Sequence, residues 1–540
     1  MTTVHLDPRE RQLKSLLLDA AAYMDRTRAN SEAEPGSTPQ QQPKDEPLVL
    51  RWAGGWVRDK LLGRQSHDID VAINCMTGEV FGNQLREFCD NPANKDKHNL
   101  RKEDIGNLHK IAKNPDKSKN LETATVKIFG LDIDFVNLRT ETYAEDSRNP
   151  EMDFGTAEED ASRRDATVNA LFYNIHTDEI EDFVGGVADI ERKVIRTPME
   201  PFQTFMDDPL RVLRLVRFAS RLQFTIADHV KDFMGDKRVL DALRVKISRE
   251  RVGVEVEKML KGEHPRDAVR YIQDLGLYHT VFTDPTNGDM VQPNLTGWRE
   301  TYSFLHSFPT HPLYDVLVTS DEERYLAWVL ACIVPFSRVP FDAANYRKKP
   351  LAAMLAAREG IKAPNKITEI VTAAMLHREE IVDLKNIVVQ GTEHVNERDY
   401  FGMRIRAWDA RDKHWRLQVL FAMLDDIMHQ AQQLASKDSV TSTEAASDVS
   451  EAIDAVHRDW QAFINHLKRL DLLDSPSIKP LVDGRLLARA LGLKPGKWMA
   501  SALDICMAWQ LRNPQETDPA GAIEEVRQQK EELGIADLLS

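Results

Sequence analysis

Residues 53–73 read AGGWVRDKLLGRQSHDIDVAI, and they follow a short β-type run, VLRWA, that ends at Ala53. Gly54 and Gly55 come directly after that strand, where a backbone without Cβ atoms can approach a phosphate closely. WVRDKLL then reads as the start of a helix whose N–H groups point at the same anion. Asp68 and Asp70 open the next run, DIDVAI. Residues i and i+2 of a strand face the same side, so the two carboxylates are neighbours while Ile69 and Val71 turn to the core. Adjacent carboxylates repel and need a partner. Hard oxygen ligands of this kind suit Mg²⁺, which takes one or two carboxylates plus substrate phosphates. An isolated Asp-x-Asp also fits a solvated strand edge, but the Gly-Gly turn and helix start just upstream weigh against that reading.

Outward from this stretch, LDIDFVNLR (131–139) is a second acidic strand in which Asp132 and Asp134 share a face. Asp134 is the candidate third carboxylate, with a solvent-facing Asp of an amphipathic strand as the alternative. KDKHNLRKEDIGNLHKIAKNPDKSKN (95–120) lies between the strands and reads as a solvated loop, or as a mobile element over the site. EEDASRRDATVNALFYNI (158–175) places Arg163, Arg164, Asp165 and Asn169 before an expected apolar helix. Its guanidinium forks could clamp phosphates, or form helical ion pairs with Glu159 and Asp160. FMDDPLRVLRLVRFASR (205–221) puts Asp208 and Arg211 at i,i+3 on one helix face, where an acceptor and a donor fork can read the edge of a free base. Asp208 before Pro209 equally fits a helix N-cap with Pro at the first helical position, which would leave Asp207 as the base reader.

The chain has 540 residues, 42% apolar and 29% charged, enough for several globular cores. No apolar run reaches the ~20 residues needed to cross a bilayer, so no membrane span is expected. The net charge of −15 means that any nucleic acid must be met by local basic surfaces. Four cysteines without CxxC spacing suit a reducing compartment, and the N-terminus has neither a secretory h-region nor a good mitochondrial presequence pattern. Texture along the chain gives an α+β fold. An N-terminal helix and polar linker (1–47) precede a sheet-containing unit (48–200), and the remainder is mainly helical. A flexible loop (436–450) interrupts that remainder.

GGWVRDKLLGRQSHDID, RRDATVNALFYNI, EDFVGGVADIERKVIRT, DDPLRVLRLVRFASR and ISRERVGVEVEKML, in that order, closely resemble the motifs of the class II tRNA nucleotidyltransferases, the CCA-adding enzymes. KNLETATVKIFGLDIDFVNLR looks like the fungal branch, and KPLVDGRLLARALGLKPGKWMASALDICMAWQLRNP resembles the family's tail. The resemblance implies a polymerase-beta-like catalytic nucleotidyltransferase head (48–200) with a helical neck (201–275), body (276–435) and tail (451–540). It implies that Asp68 and Asp70 hold Mg²⁺, that Gly54, Gly55 and Arg58 sit against a triphosphate, and that Arg163, Arg164 and Asp165 contact ribose and phosphates. Asn169 and Arg214 join the nucleotide-binding set. Asp208 and Arg211 would be the protein template that accepts CTP and then ATP, on a helix buttressed by Arg249 to Lys258. Where the family motif begins Glu-Asp, this chain has Asp207-Asp208. The helical C-terminal half would grip the acceptor stem and TΨC arm of tRNA. A monomer in cytoplasm, nucleus and mitochondrion is expected on the same ground. The alternatives are a poly(A) polymerase of the same superfamily, a catalytically inactive RNA-binding scaffold, and a small-molecule nucleotidyltransferase of the antibiotic-modifying type. The acidic C-terminus, the intact Asp68 and Asp70, and the several hundred helical residues argue against these in turn.

Overall fold

The computed structural model describes residues 4–31, 46–101, 103–106, 109–111, 123–142, 151–284, 292–436 and 442–535. The chain divides into two units, Met1–Val281 and Phe282–Ser540. The first is built on strands β1 (Leu50–Ala53), β2 (Asp68–Ile73), β3 (His109–Ile111), β4 (Thr123–Ile128) and β5 (Leu131–Asn137). The hairpin β6 (Arg139–Thr142) and β7 (Glu151–Phe154) comes next, then β8 (Leu171–Asn174) and β9 (Glu179–Asp182). Seven of these strands form one sheet in the order β3-β4-β5-β2-β1-β8-β9. Only the central pair, β2 with β5, is parallel; the other neighbours run antiparallel. The runs expected as strands at VLRWA, DIDVAI, TATVKIF and LDIDFVNL are β1, β2, β4 and β5.

Helix α1 (Pro8–Ser31) packs against β1 through Leu13, Leu16, Leu17 and Ala20, all fully buried. Its buried Glu10 accepts from Trp56 Nε1 at 3.0 Å and pairs with Lys60 at 2.6 Å, which ties α1 to α2 (Gly55–Leu61). Trp52 and Trp56 meet edge to face, their ring centroids 4.7 Å apart, beneath this contact. Helices α3 (Gly78–Asp90), α4 (Pro92–His98), α5 (Ala157–Ser162) and α6 (Gly186–Arg192) complete the sheet-bearing part. The helical part that follows comprises α7 (Pro201–Asp207), α8 (Arg211–Leu222), α9 (Asp228–Met234), α10 (Lys237–Lys246), α11 (Arg249–Leu260) and α12 (Pro265–Asp274). α8 packs against α11, with Val212, Leu213 and Val216 on one and Val252 and Val256 on the other fully buried.

The second unit is helical throughout its described residues, with long helices at Asn365–Gln390, Trp415–Ala435 and Ser442–Arg469. Its last apolar cluster joins Leu487 and Leu491 to Ala502, Cys506, Ala522 and Val526. All four cysteines are free and buried.

Three expectations need correction. LFYN (171–174) is strand β8, not a helix; it lies between β1 and β9 with all four side chains buried, so the period-2 alternation that marks a strand is absent. The expected helix carrying both Asp208 and Arg211 is broken between them. α7 ends at Asp207, Asp208 is extended (φ −136°, ψ 95°), and α8 begins at Arg211, because a residue before proline is pushed out of the helical region. Finally, 442–450 is the start of a helix rather than a loop, since TEAA is rich in helix formers and the amphipathic turns downstream propagate backward. Residues 437–441, and most of the polar segment 95–120 beyond His98, lie outside the described residues.

Candidate active site

The parallel register of β2 on β5 sets Asp68 opposite Asp132 and Asp70 opposite Asp134, so the two acidic strands present one carboxylate face. Ile69, Val71, Ile133 and Phe135 alternate with them and are fully buried. β1 approaches from the other side, with Ala53 paired to Asp70. Gly54 follows at φ +69° and ψ −125°, a conformation open to glycine alone. A Cβ there would stand 2.9 Å from Arg164 Nη1 and 3.8 Å from Asp70 Oδ2. Gly54, Asp70 and Arg164 therefore meet at one point, where three segments distant in sequence converge.

Burial pushes the Asp70 carboxyl up to about 6; Arg164 opposes the shift, while Asp134 and Asp68 add to it. Asp68, more exposed, is raised in the same sense by burial and by Asp134 and Asp132. Asp134 is locked by Thr125, whose hydroxyl donates to it at 2.6 Å across the β4–β5 pair. Asp132 pairs with Lys127 at 3.3 Å on the exposed edge. Among the described residues no three His, Cys, Asp or Glu side chains gather tightly enough to hold a metal alone. Asp68 and Asp70 fit Mg²⁺ as an all-oxygen pair that leaves the remaining ligands to substrate phosphates.

Arg163 and Arg164 share the buried Asp160. Arg163 Nε donates to it at 3.0 Å and Arg164 Nε at 3.0 Å. Burial would raise the Asp160 carboxyl, but the two guanidiniums hold it below its usual value. Of the pairing expected as the plain helical alternative, the Asp160 half is thus present, made from just beyond the end of α5, while Glu159 is bonded to Thr156; the shared Asp160 aims the two arginines apart. Arg164 Nη1 donates to the Asn169 carbonyl at 3.0 Å beside Gly54, whereas Arg163 Nη1 donates to Glu141 at 2.9 Å. Arg58 is buried and spends its guanidinium on Asp59 and on the Asn169 side chain, bracing the turn that holds Gly54 and Gly55. Asp165, also buried, accepts from Arg214 at 2.5 Å; burial would raise its carboxyl, and Arg214 keeps it low.

Asp208 caps the turn into α8 by accepting from Leu210 N at 3.1 Å, and its other oxygen accepts from Arg251 Nη2 at 3.1 Å. Arg211 N donates to the Asp208 carbonyl at 3.0 Å, so the two residues stay adjacent although they do not share a helix. Arg211 Nη2 donates to the Arg163 carbonyl at 2.9 Å and lies 4.0 Å from Glu141. Asp207 accepts from Gln203 at 2.6 Å, and burial raises its carboxyl.

Two family profiles match this chain: "Poly A polymerase head domain" over residues 50–196 and "Probable RNA and SrmB- binding site of polymerase A" over 224–286. The nucleotidyltransferase lcsQ of Purpureocillium lilacinum is 49% identical over 99% of this chain and 93% of its own length. The mitochondrial CCA tRNA nucleotidyltransferase of Candida glabrata is 37% identical over 88% of this chain and 89% of its own. The chain belongs to the CCA tRNA nucleotidyltransferase family. A solved CCA-adding enzyme in an apo form shares the fold, with a TM-score of 0.61 at 17% identity, covering 97% of this chain and 96% of its own.

For a CCA tRNA nucleotidyltransferase sequence, the residues that pattern reasoning missed are those that hold the named ones. Thr125 and Glu141 each bind a candidate site residue; Arg251 and Glu255 do so too, but they lie in the 249–258 segment expected to buttress the helix. Glu255 pairs with Arg217 at 2.6 Å and stands 3.8 Å from Arg214. Of the missed pair, Thr125 and Glu141, only Thr125 carried a signal, since TATVKIF alternates so that Thr125 falls on a polar face. Register, which sequence does not display, was needed to set it beside Asp134.

Proposed function

We infer that this chain adds CCA to the 3′ end of tRNA from CTP and ATP without a nucleic-acid template. The observation that carries this is the meeting of Asp70, Asp134, Gly54 and Arg164 at the centre of a nucleotidyltransferase sheet, in a chain alike along most of its length to enzymes named for that activity. The tRNA 3′-hydroxyl attacks the α-phosphorus of the nucleotide, the bond to the β-phosphate breaks, and pyrophosphate leaves. Held by Asp68 and Asp70, Mg²⁺ would supply Lewis-acid activation of the hydroxyl and charge neutralisation at the leaving group. Gly54 keeps the space beside Asp70 clear, and Arg164 sets a fixed positive charge where the phosphates arrive. Gly55, Arg58, Arg163, Asp165, Asn169 and Arg214 form the frame of the nucleotide pocket, with Asp208 and Arg211 at the base edge.

The domain roles follow: catalytic head at 48–200, base-selecting neck at 201–275, and a body and tail, 276–435 and 451–540, that hold the acceptor stem and TΨC arm. The working form is a monomer. No helix among the described residues is long and apolar enough to cross a membrane. Relatives named as mitochondrial support action in mitochondria, with cytoplasm and nucleus as further sites.

The head-domain profile keeps one second reading in play, poly(A) synthesis. Primer choice separates the two. Presented with ATP and CTP, the enzyme should extend a tRNA transcript lacking its last three nucleotides and ignore an oligo(A) primer; a preference for oligo(A) would overturn the CCA reading.

A further inference from the structure

Away from the carboxylates, the C-terminal ends of α8 and α11 and the loop after α2 enclose a groove of about 960 Å³. Its lining carries five cationic side chains, Arg64, Arg217, Arg221, Lys258 and Lys261, against two carboxylates, Glu257 and Glu263. The whole chain has a net charge of −15, so this concave surface is locally inverted in sign. A basic cleft in an acidic envelope focuses the field on a polyanion.

How the charges are used points to the kind of ligand. Arg217 is committed to Glu255 at 2.6 Å, and Lys261 to Glu257 at 2.6 Å. Among the described residues, the ion pair of Arg221 is the longer contact to Asp59, at 3.6 Å. Arg64 and Lys258 are exposed and have no ion pair among the described residues. One buried pair, Arg217 with Glu255, in the wall and free cations at the rim suit a phosphodiester chain. Two of the wall's polar groups are already spent and do not offer themselves to a base edge: the buried Ser220 hydroxyl donates to the Arg217 carbonyl at 3.1 Å, and the Arg217 fork is taken by Glu255. Phosphate contacts of this sort fix position and register without specifying sequence. The loop that carries Arg64 runs directly into Asp68, so a strand held here is held against the base of the catalytic strand.

The geometry points to this groove as a binding site for the sugar–phosphate backbone of the RNA substrate, with Arg64 and Lys258 as its two free phosphate ligands. The inference rests on the CCA-adding reading and adds a binding surface to it.

The test compares the full-length protein with Arg64→Ala/Lys258→Ala and with the charge-keeping Arg64→Lys/Lys258→Arg. Affinity for tRNA lacking its CCA end is measured by fluorescence anisotropy over a salt series, alongside the KM for CTP and the melting temperature. The alanine pair should weaken tRNA binding and make the slope of log K against log salt shallower by about 2, one for each phosphate left without its cation. KM for CTP and the melting temperature should hold, and the charge-keeping pair should restore the slope. An alanine pair with wild-type affinity and slope overturns the groove while leaving CCA addition by the wild type intact. If the wild type itself neither binds nor extends this tRNA, the functional reading falls and the groove with it.

Discussion

Asp70 combines two roles that pull against each other: it must be a carboxylate in a half-buried position beside two other carboxylates. Its pKa, raised by burial to about 6, exceeds the unfolded value, so the stability tied to its proton is present below about pH 4 and lost as pH rises through about 6. Asp70→Asn should therefore stabilise the metal-free protein at pH 7.5 by of order 1–3 kcal/mol, at ~1.4 kcal/mol per pKa unit, and the gain should vanish near pH 4. Thermal melts in EDTA at the two pH values read this directly; an equal change at both would contradict it. The same substitution, and Asp68→Ala, should reduce nucleotide addition by more than the ~10²–10³ typical of losing one electrostatic donor, because a metal ligand goes with the charge. Single-turnover rates at saturating Mg²⁺ and tRNA check this, and undiminished turnover would remove the metal assignment. That Asp68 and Asp70 share a face was legible from period-2 alternation alone. The closeness of Asp134 was legible only as one of two readings, because it depends on which strands pair.

The break between α7 and α8 sets where Asp208 and Arg211 stand. Pro209 forces Asp208 out of the helix, and the carboxylate is then held by Leu210 N and Arg251 rather than by an i,i+3 partner. Arg211 reaches the Arg163 carbonyl and the neighbourhood of Glu141. Arg211→Ala should cost base discrimination by about 1–3 kcal/mol, roughly 5- to 150-fold. It should also lower stability by about 1 kcal/mol, because the hydrogen bond to the Arg163 carbonyl is removed. Incorporation of UTP and GTP relative to CTP, with the melting temperature from the same preparation, tests this; retained selectivity with a lower melting temperature would make Arg211 a brace only. In the helical unit, His311 Nδ1 and His457 Nε2 lie 3.1 Å apart; burial holds both below the usual histidine value, and His457 adds to the lowering at His311. A lowered folded pKa gives stability that is full above about 6.5 and lost as pH falls through the depressed values. His457→Gln should flatten the fall in stability between pH 7 and 5, measured by urea unfolding; an unchanged slope would contradict the coupling. The helix break illustrates what a pattern hides. Apolar spacing runs through FMDDPLRVLRLVRF without interruption, and only the stereochemistry of a residue before proline marks the stop. β8 was misread for the converse reason, since a strand buried on both faces and a buried helix segment carry the same apolar run.

Across the whole chain, texture changes from strand-like to helical near residue 200, whereas the boundary between the two compact units falls at Val281, inside the helical part. The change of texture was legible because strand-like and helix-like periodicities change over within a few residues; no such change marks Val281, where helices lie on both sides. The basic groove was not, because Arg64, Arg221 and Lys258 are scattered in sequence and only the fold gathers them. An acidic chain that handles RNA must concentrate its positive charge in such places, so the salt dependence of substrate binding belongs to the groove more than to net charge. Product sequence is the most direct test of what the molecule does. The purified protein, given tRNA that ends at the nucleotide before CCA, should add two cytidines from CTP alone, nothing lasting from ATP alone, and a single terminal adenosine after the cytidines when both are present. A run of adenosines from ATP alone, or no addition under any combination with Mg²⁺ present, would contradict CCA synthesis by this chain.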